Sequence, residues 1–329
     1  MPATVIVRLP NWLGDTVMAV PALNALRAGL PGTRMALAGP WAPLMTGQGL
    51  AEILVTYPRT WTGRLRAADT VRELGPELAL LLPNSLEAAL AARYWGARQR
   101  IGFAGNARDW LLTDRVPVPT PRPHQVDEYL MLVERLGFRT LSREPRLRPP
   151  EPGSEARETA RALLREAGID GAGQRPRVGI HLGAAFGPSK LWPVERMAEF
   201  CRLVSDRGGT PVLLGAPSDA PVAQAVAAVA HPASLVGRDT PALLPAVLTE
   251  LDALVCGDTG VGHLAAALGV PVLILFGPTD PALTAPRGRV AVVSHPTPCA
   301  PCFYRRCPID HPCLRFITAD EAGARLREL

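Results

Sequence analysis

Lysine is nearly absent from this sequence: of 35 basic residues 34 are arginine, and Lys190 is the single exception. The arginines are dispersed and form no basic helix with interleaved aromatic residues, so the formal net charge of +5 does not point to nucleic acid. It suits an anionic ligand or an anionic membrane face. Long apolar runs are missing as well. No stretch approaches the ~18 uninterrupted apolar residues of a bilayer span, which argues against an integral membrane protein. Met1-Pro2-Ala3-Thr4-Val5-Ile6-Val7 has no basic segment ahead of its apolar run, so no secretory signal is read and a cytoplasmic location is expected. Aromatic residues make up 5%, and the 35 prolines and 30 glycines lie scattered between apolar runs, as in a folded chain and unlike a low-complexity one.

What is present is alternation. At 329 residues and 47% hydrophobic, the chain is too long for one ordinary core and suits two. Residues 4–8 read as a strand, followed by a loop and an amphipathic helix with apolar positions at Val17, Val20, Leu23, Leu26 and Leu30. Further strand-like runs at 34–38, 53–57 and 78–82 are separated by segments long enough for crossovers, which implies a parallel sheet. Between 141 and 176 the chain turns Pro-, Arg- and Gly-rich around a helical segment near 154–167, and the domain boundary is placed there, giving domains 1–150 and 151–329. The second half repeats the pattern, with strands at 177–182, 211–214, 253–256 and 270–276 and helices near 193–206, 220–230, 240–249 and 260–268. The expected fold class is α/β: two Rossmann-like, doubly wound domains facing across a cleft, with the last helix a candidate to pack back on the first domain. Ligands of such sheets bind beyond the carboxyl ends of the strands, so the loop after the first strand of each half is the place to look for chemistry.

In the first half that loop is Asn11-Trp12-Leu13-Gly14-Asp15. Asp15 reads either as an ordinary helix cap or, at a loop opening onto a cleft, as a lone general base for a bound hydroxyl. In the second half it is Gly183-Ala184-Ala185-Phe186-Gly187-Pro188-Ser189-Lys190, where the only lysine of the chain stands just ahead of a helix. A compact cation beside glycines that allow close backbone approach suits phosphate oxygens; the plainer alternative is a solvated loop lysine. Asp258-Thr259-Gly260-Val261-Gly262-His263 follows a strand and opens a helix, and Gly260, Gly262 and Ala265 match G-x-G-x-x-A. A carboxylate at this turn would repel a pyrophosphate unless it held sugar hydroxyls. His263 is either a donor from the first helical turn or a packed imidazole.

Four of the six cysteines, Cys299, Cys302, Cys307 and Cys313, form a C-x2-C-x4-C-x5-C cluster. A structural metal site and a reduced, packed set are equally compatible with that spacing, whereas disulfides are disfavoured in the cytoplasm. No two aspartates are spaced D-x-D, so the metal-chelating pair of one large class of sugar transferases is missing.

In order along the chain, Leu9–Asp15, the F-G-P-S-K-L-W-P core at 186–193, Asp258-Thr259-Gly260-x-x-His263-Leu264-Ala265-Ala266-Ala267-Leu268-Gly269 and the cysteine-rich 299–313 segment resemble the ADP-heptose:lipopolysaccharide heptosyltransferases of glycosyltransferase family 9, most closely the heptosyltransferase II branch. The resemblance implies the GT-B fold and an inverting, metal-independent transfer of heptose from ADP-L-glycero-D-manno-heptose to a heptose of the lipopolysaccharide inner core. It implies Asp15 as the catalytic base and Lys190 as a diphosphate ligand. Asp258 would hold donor-sugar hydroxyls, with Thr259, Gly260, Gly262, His263 and Gly183 shaping the donor site and Asp219 holding the ribose. Asn11 and Trp12 would face the acceptor, and Arg59, Arg64 and Arg66, around Trp61, read either as contacts to phosphate or carboxylate groups of the acceptor or as a solvated loop. No cofactor is required in this reading. The expected partners are a nucleotide sugar and an anionic glycolipid, met by a monomer peripheral to the inner membrane. The alternatives are an NAD-type oxidoreductase built on Gly260-Val261-Gly262-x-x-Ala265, disfavoured because the fingerprint comes late and no acid stands at the end of the next strand, Asp280 coming only after a Gly277-Pro278 turn, and a non-catalytic nucleotide-sugar-binding protein.

Overall fold

A computed structural model describes residues 3–58, 60–169 and 176–329. The chain divides after Leu147 into two units. The first contains six parallel strands, β1 (Thr4–Arg8), β2 (Arg34–Gly39), β3 (Ile53–Thr56), β4 (Leu78–Leu81), β5 (Gln99–Phe103) and β6 (Asp114–Val116), in the order β3-β2-β1-β4-β5-β6. Val5 pairs with Met35 on one side and Leu78 on the other. The central strand reads Thr-Val-Ile-Val-Arg without alternation because helices cover both faces, and all five residues are buried. The helices are α1 (Leu13–Met18), α2 (Val20–Gly29), α3 (Trp61–Glu73), α4 (Leu86–Tyr94) and α5 (Gln125–Glu134). One core layer joins Ile6, Ala36 and Leu81 of the sheet to Val71, Ala89 and Trp95.

The single helix expected after β1 is two. Pro21 lies in the first turn of α2 and has no N–H to continue the ladder from α1, so the chain breaks at Ala19. The Arg64–Arg66 segment is helical, part of α3, whose start is capped by Thr60 accepting from Gly63 N.

The second unit repeats the topology with β7 (Arg177–His181), β8 (Thr210–Leu214), β9 (Ala233–Ser234), β10 (Ala253–Gly257), β11 (Val272–Phe276) and β12 (Val290–Ser294), ordered β12-β11-β10-β7-β8-β9, all parallel. Its helices are α6 (Glu155–Glu166), α7 (Val194–Asp206), α8 (Ala220–Ala230), α9 (Leu244–Thr249), α10 (Gly260–Ala267), α11 (Pro281–Thr284), α12 (Pro312–Arg315) and α13 (Ala319–Leu326). Pro245 fixes the start of α9 four residues later than the apolar pattern suggests. The final helix packs on α7 of its own unit, where Gly323 lies so close to Leu203 that a Cβ would stand 2.7 Å from it. Its buried Ala319 and Ala322 complete a core layer with Trp192, Phe200 and Ile317, and this apolar face is what keeps it there. Among the described residues no helix is long and apolar enough to cross a membrane.

In each sheet the strand order reverses beside the first strand, between β1 and β4 and between β7 and β10. At these reversals the flanking crossovers leave in opposite directions and open a crevice at the carboxyl ends of the strands.

Candidate functional site

At the second reversal, the chain leaving β7 and the chain leaving β10 meet. Lys190, on a single 3₁₀ turn, forms an ion pair through Nζ with Oδ2 of Asp258, the first residue past β10. Thr279 Oγ1 donates to the same Oδ2 at 2.6 Å. Both members of the pair are largely covered, with side-chain exposures of 11% for Lys190 and 6% for Asp258. The approach depends on Gly257, where a Cβ would stand 2.5 Å from the Lys190 carbonyl oxygen. Lys190 Nζ also lies 4.6 Å from the centre of the Phe186 ring, so a cation–π contact helps hold the ammonium in place.

Thr259 caps α10, accepting from Val261 N at 3.1 Å, and the positive end of that helix adjoins Asp258. Gly260 opens its first turn. Gly262 turns the other way: a Cβ there would meet Cys256 Sγ at 2.8 Å, so this glycine serves the close packing of α10 on the sheet. His263 is buried. Gly183 lies against Asp219, whose Oδ2 accepts from Ala216 N at 2.8 Å at the entry to α8. Asp280, after β11, caps α11 through Ala282 N.

Sequence reasoning missed two titratable neighbours. His181 ends β7, and burial pulls its imidazole down to about 4. Asp239 accepts from Gly215 N at 3.2 Å, and burial with the nearby Asp219 charge pushes its carboxyl up to about 7. The available signal for His181 was its place at the carboxyl end of the first strand of the second unit, where ligands of such sheets bind. Asp239 had none, since only the fold brings its loop to Gly215.

At the first reversal, Asp15 occupies the first turn of α1, three residues beyond the N-cap Trp12, so it is not the cap. Its charge raises the pKa of Tyr129, which burial already drives well up, and contributes to raising that of Arg122. Arg122 is held mainly by the buried Glu128, through two contacts of 2.7 Å. Arg8, buried at the end of β1, donates to Asn11 Oδ1 at 2.8 Å and lies 3.6 Å from Glu87. Trp12 is 52% exposed. Beyond β4, the buried Arg108 donates to Asn84 Oδ1 at 2.9 Å. None of Arg8, Arg108, Arg122 or Glu128 was singled out from sequence, because scattered arginines in an arginine-rich chain carry no local signal. Arg64 donates to the Pro58 carbonyl at 3.3 Å and stacks near Trp61, and Arg66 is exposed on the same helix. Arg59 lies outside the described residues.

Residues 64–312 match the model of glycosyltransferase family 9 (heptosyltransferase). The chain belongs to this family. It is 28% identical over 309 residues to lipopolysaccharide heptosyltransferase 2 of Escherichia coli (strain K12), covering 86% of this chain and 85% of that one. To lipopolysaccharide heptosyltransferase 1 of Pseudomonas aeruginosa it is 30% identical over 320 residues, 90% of this chain and 84% of the relative. The solved E. coli ADP-heptose lps heptosyltransferase II superposes with a TM-score of 0.81 at 25% identity, covering 99% of both chains. The fold class is therefore GT-B and the protein a glycosyltransferase, which sets aside both the oxidoreductase and the non-catalytic reading of the glycine-rich turn.

In this glycosyltransferase the cysteine-rich segment closes one side of the Lys190 loop. Ser189 Oγ donates to the Tyr304 carbonyl at 2.6 Å, and Cys302 N and Phe303 N both donate to the Pro278 carbonyl, at 3.0 and 2.8 Å. Burial, and then the neighbouring thiols, push the Cys313 thiol up. Among the described residues, no three His, Cys, Asp or Glu side chains are arranged to hold a metal ion.

The two buried titratable groups give the family member opposing pH responses. His181 titrates near 4 when folded and 6.5 in a model peptide, so the unfolded chain binds more protons between those values and stability is lost as pH falls through that window. Asp239 is raised from 3.8 to about 7, so the folded chain binds more protons there and stability is lost as pH rises through that window. Asp239→Asn, which keeps an acceptor for Gly215, should raise the melting temperature at pH 8 by a few degrees and steepen its rise between pH 4.5 and 6.5. An unchanged melting profile would show that Asp239 is not a buried, costly carboxylate.

Proposed function

We propose that this chain transfers heptose from ADP-L-glycero-D-manno-heptose to a heptose of the lipopolysaccharide inner core, with inversion and without a metal. The observation that carries the donor assignment is the buried Lys190–Asp258 pair at the strand-order reversal of the second sheet, beside the N-terminus of α10. Lys190 and the first-turn N–H groups of α10 take up charge as the diphosphate leaves. Asp258, with Oδ2 already engaged by Lys190 and Thr279, offers its other oxygen to a donor-sugar hydroxyl. The anomeric centre becomes oxocarbenium-like, and the acceptor hydroxyl loses its proton to Asp15 as it attacks from the opposite face. Asp219 binds the ribose. Asn11, oriented by Arg8, lies with Trp12, Arg64 and Arg66 on the acceptor side. The names of the relatives support donor and acceptor. The protein works as a monomer on the cytoplasmic side of the inner membrane, where a glycolipid acceptor is presented.

The test is turnover of ADP-heptose with a heptose-bearing core acceptor in the presence of EDTA, reading product configuration by NMR. Inverted product at an undiminished rate is expected. Loss of turnover that a divalent cation restores would overturn the metal-free mechanism, and the absence of any heptosyl product would overturn the donor assignment. Thermal shift with ADP, ADP-heptose and NAD separates donor recognition from turnover, and only the first two should stabilise the protein.

A further inference from the structure

We infer that Arg305, carried by the cysteine-rich segment, is a second cationic ligand of the donor's diphosphate. The inference rests on the ADP-sugar reading above and adds to it a residue from outside the glycine-rich loops. Three observations lead to it. First, the Arg305 backbone is built into the Lys190 loop: its carbonyl oxygen accepts from Ser189 N at 3.2 Å and would stand 2.6 Å from a Cβ on Gly187, whose φ of +149° admits glycine readily. The same stretch of chain is fixed at Tyr304 by the buried Ser189, so the position of Arg305 is set by the fold although its side chain is exposed. Second, the Arg305 guanidinium lies 5.5 Å from the centre of the Phe186 ring, and Lys190 Nζ lies 4.6 Å from the same ring. One aromatic side chain therefore gathers both cations.

Third, the charges favour it. Lys190 is already answered by Asp258, and Asp219 adds a carboxylate beside His181 and Gly183, so these carboxylates outnumber the one lysine of the loop. Among the described residues no carboxylate pairs with Arg305. Its planar fork can bind two phosphate oxygens at once, which the Lys190 ammonium cannot do with the same geometry. This also gives the cysteine-rich segment a function that does not depend on metal: it delivers Arg305 to the mouth of the donor site.

The experiment compares ADP, AMP and adenosine binding by calorimetry to the full-length protein and to Arg305→Ala, Arg305→Lys and Arg306→Ala. A diphosphate ligand at Arg305 predicts that Arg305→Ala weakens ADP by about 10- to 100-fold, AMP by much less and adenosine not at all. Arg305→Lys should recover part of the loss, and Arg306→Ala should bind ADP as the parent does. Equal weakening of all three ligands by Arg305→Ala would mean a collapsed loop and overturn the inference, as would unchanged ADP binding. Failure of the parent protein itself to bind ADP would instead strike the donor reading on which the inference stands.

Discussion

Asp15→Asn should lower kcat by roughly two to four decades while leaving the affinity for ADP unchanged. The substitution preserves size and hydrogen-bonding capacity but removes the ability to accept a proton at neutral pH. The surroundings of Asp15 make it a clean experiment. The residue sits in the first turn of α1, so loss of its charge costs the helix about 0.3–1 kcal/mol of dipole stabilisation, far too little to unfold a domain. Arg122, the cation whose pKa its charge helps to raise, is held chiefly by Glu128 and would not be left stranded. The measurement is single-turnover transfer together with calorimetric ADP binding. A variant within a few-fold of the parent would remove Asp15 from proton transfer, and an equal loss in kcat and ADP affinity would assign it to binding.

The elements that carried long apolar runs could be read directly. β1, β4, β10 and β11 are buried on both faces and consist mostly of Val, Leu, Ile and Ala, as parallel central strands require, while β7 carries only Val178 and Ile180 between Arg177, Gly179 and His181. Of the strands toward the edges, β3 was read at 53–57, but Gln99–Phe103 and Asp114–Val116, which mix charged or polar with apolar residues, the two-residue Ala233–Ser234 and the apolar Val290–Ser294 were not. The same contrast governs the site. Lys190 stood out because the composition rejects lysine everywhere else, and Asp15 and Asp258 because each follows a strand that could be recognised. Asp239, Thr279 and Arg305 became visible only in three dimensions. Thr279 reaches Asp258 across 21 residues and Tyr304 reaches Ser189 across 115, distances over which no spacing rule operates. Gly262 illustrates the converse. The fingerprint suggested a ligand-facing glycine, and the position instead demands glycine because the helix lies against Cys256.

Lys190→Met should be damaging twice over, and the two effects can be separated. Removing the ammonium leaves the covered Asp258 carboxylate with only the Thr279 hydroxyl, a broken buried pair that costs about 3–5 kcal/mol, and it also removes a cation from the diphosphate site. Asp258→Asn in the same chain discharges the stranded carboxylate while keeping an oxygen for Thr279, so the double variant should regain most of the lost stability. It should not regain ADP binding, because the cation is still missing; affinity should stay down by at least 10-fold. Chemical denaturation reads the first effect and calorimetry the second, each as a double-mutant cycle with the two single variants. Parent-like ADP affinity in the double variant would reduce Lys190 to a partner of Asp258. If the double variant instead proved as unstable as Lys190→Met, the cost would lie in lost packing of the lysine stem against Phe186, and the charge pair would not be what holds the two loops together.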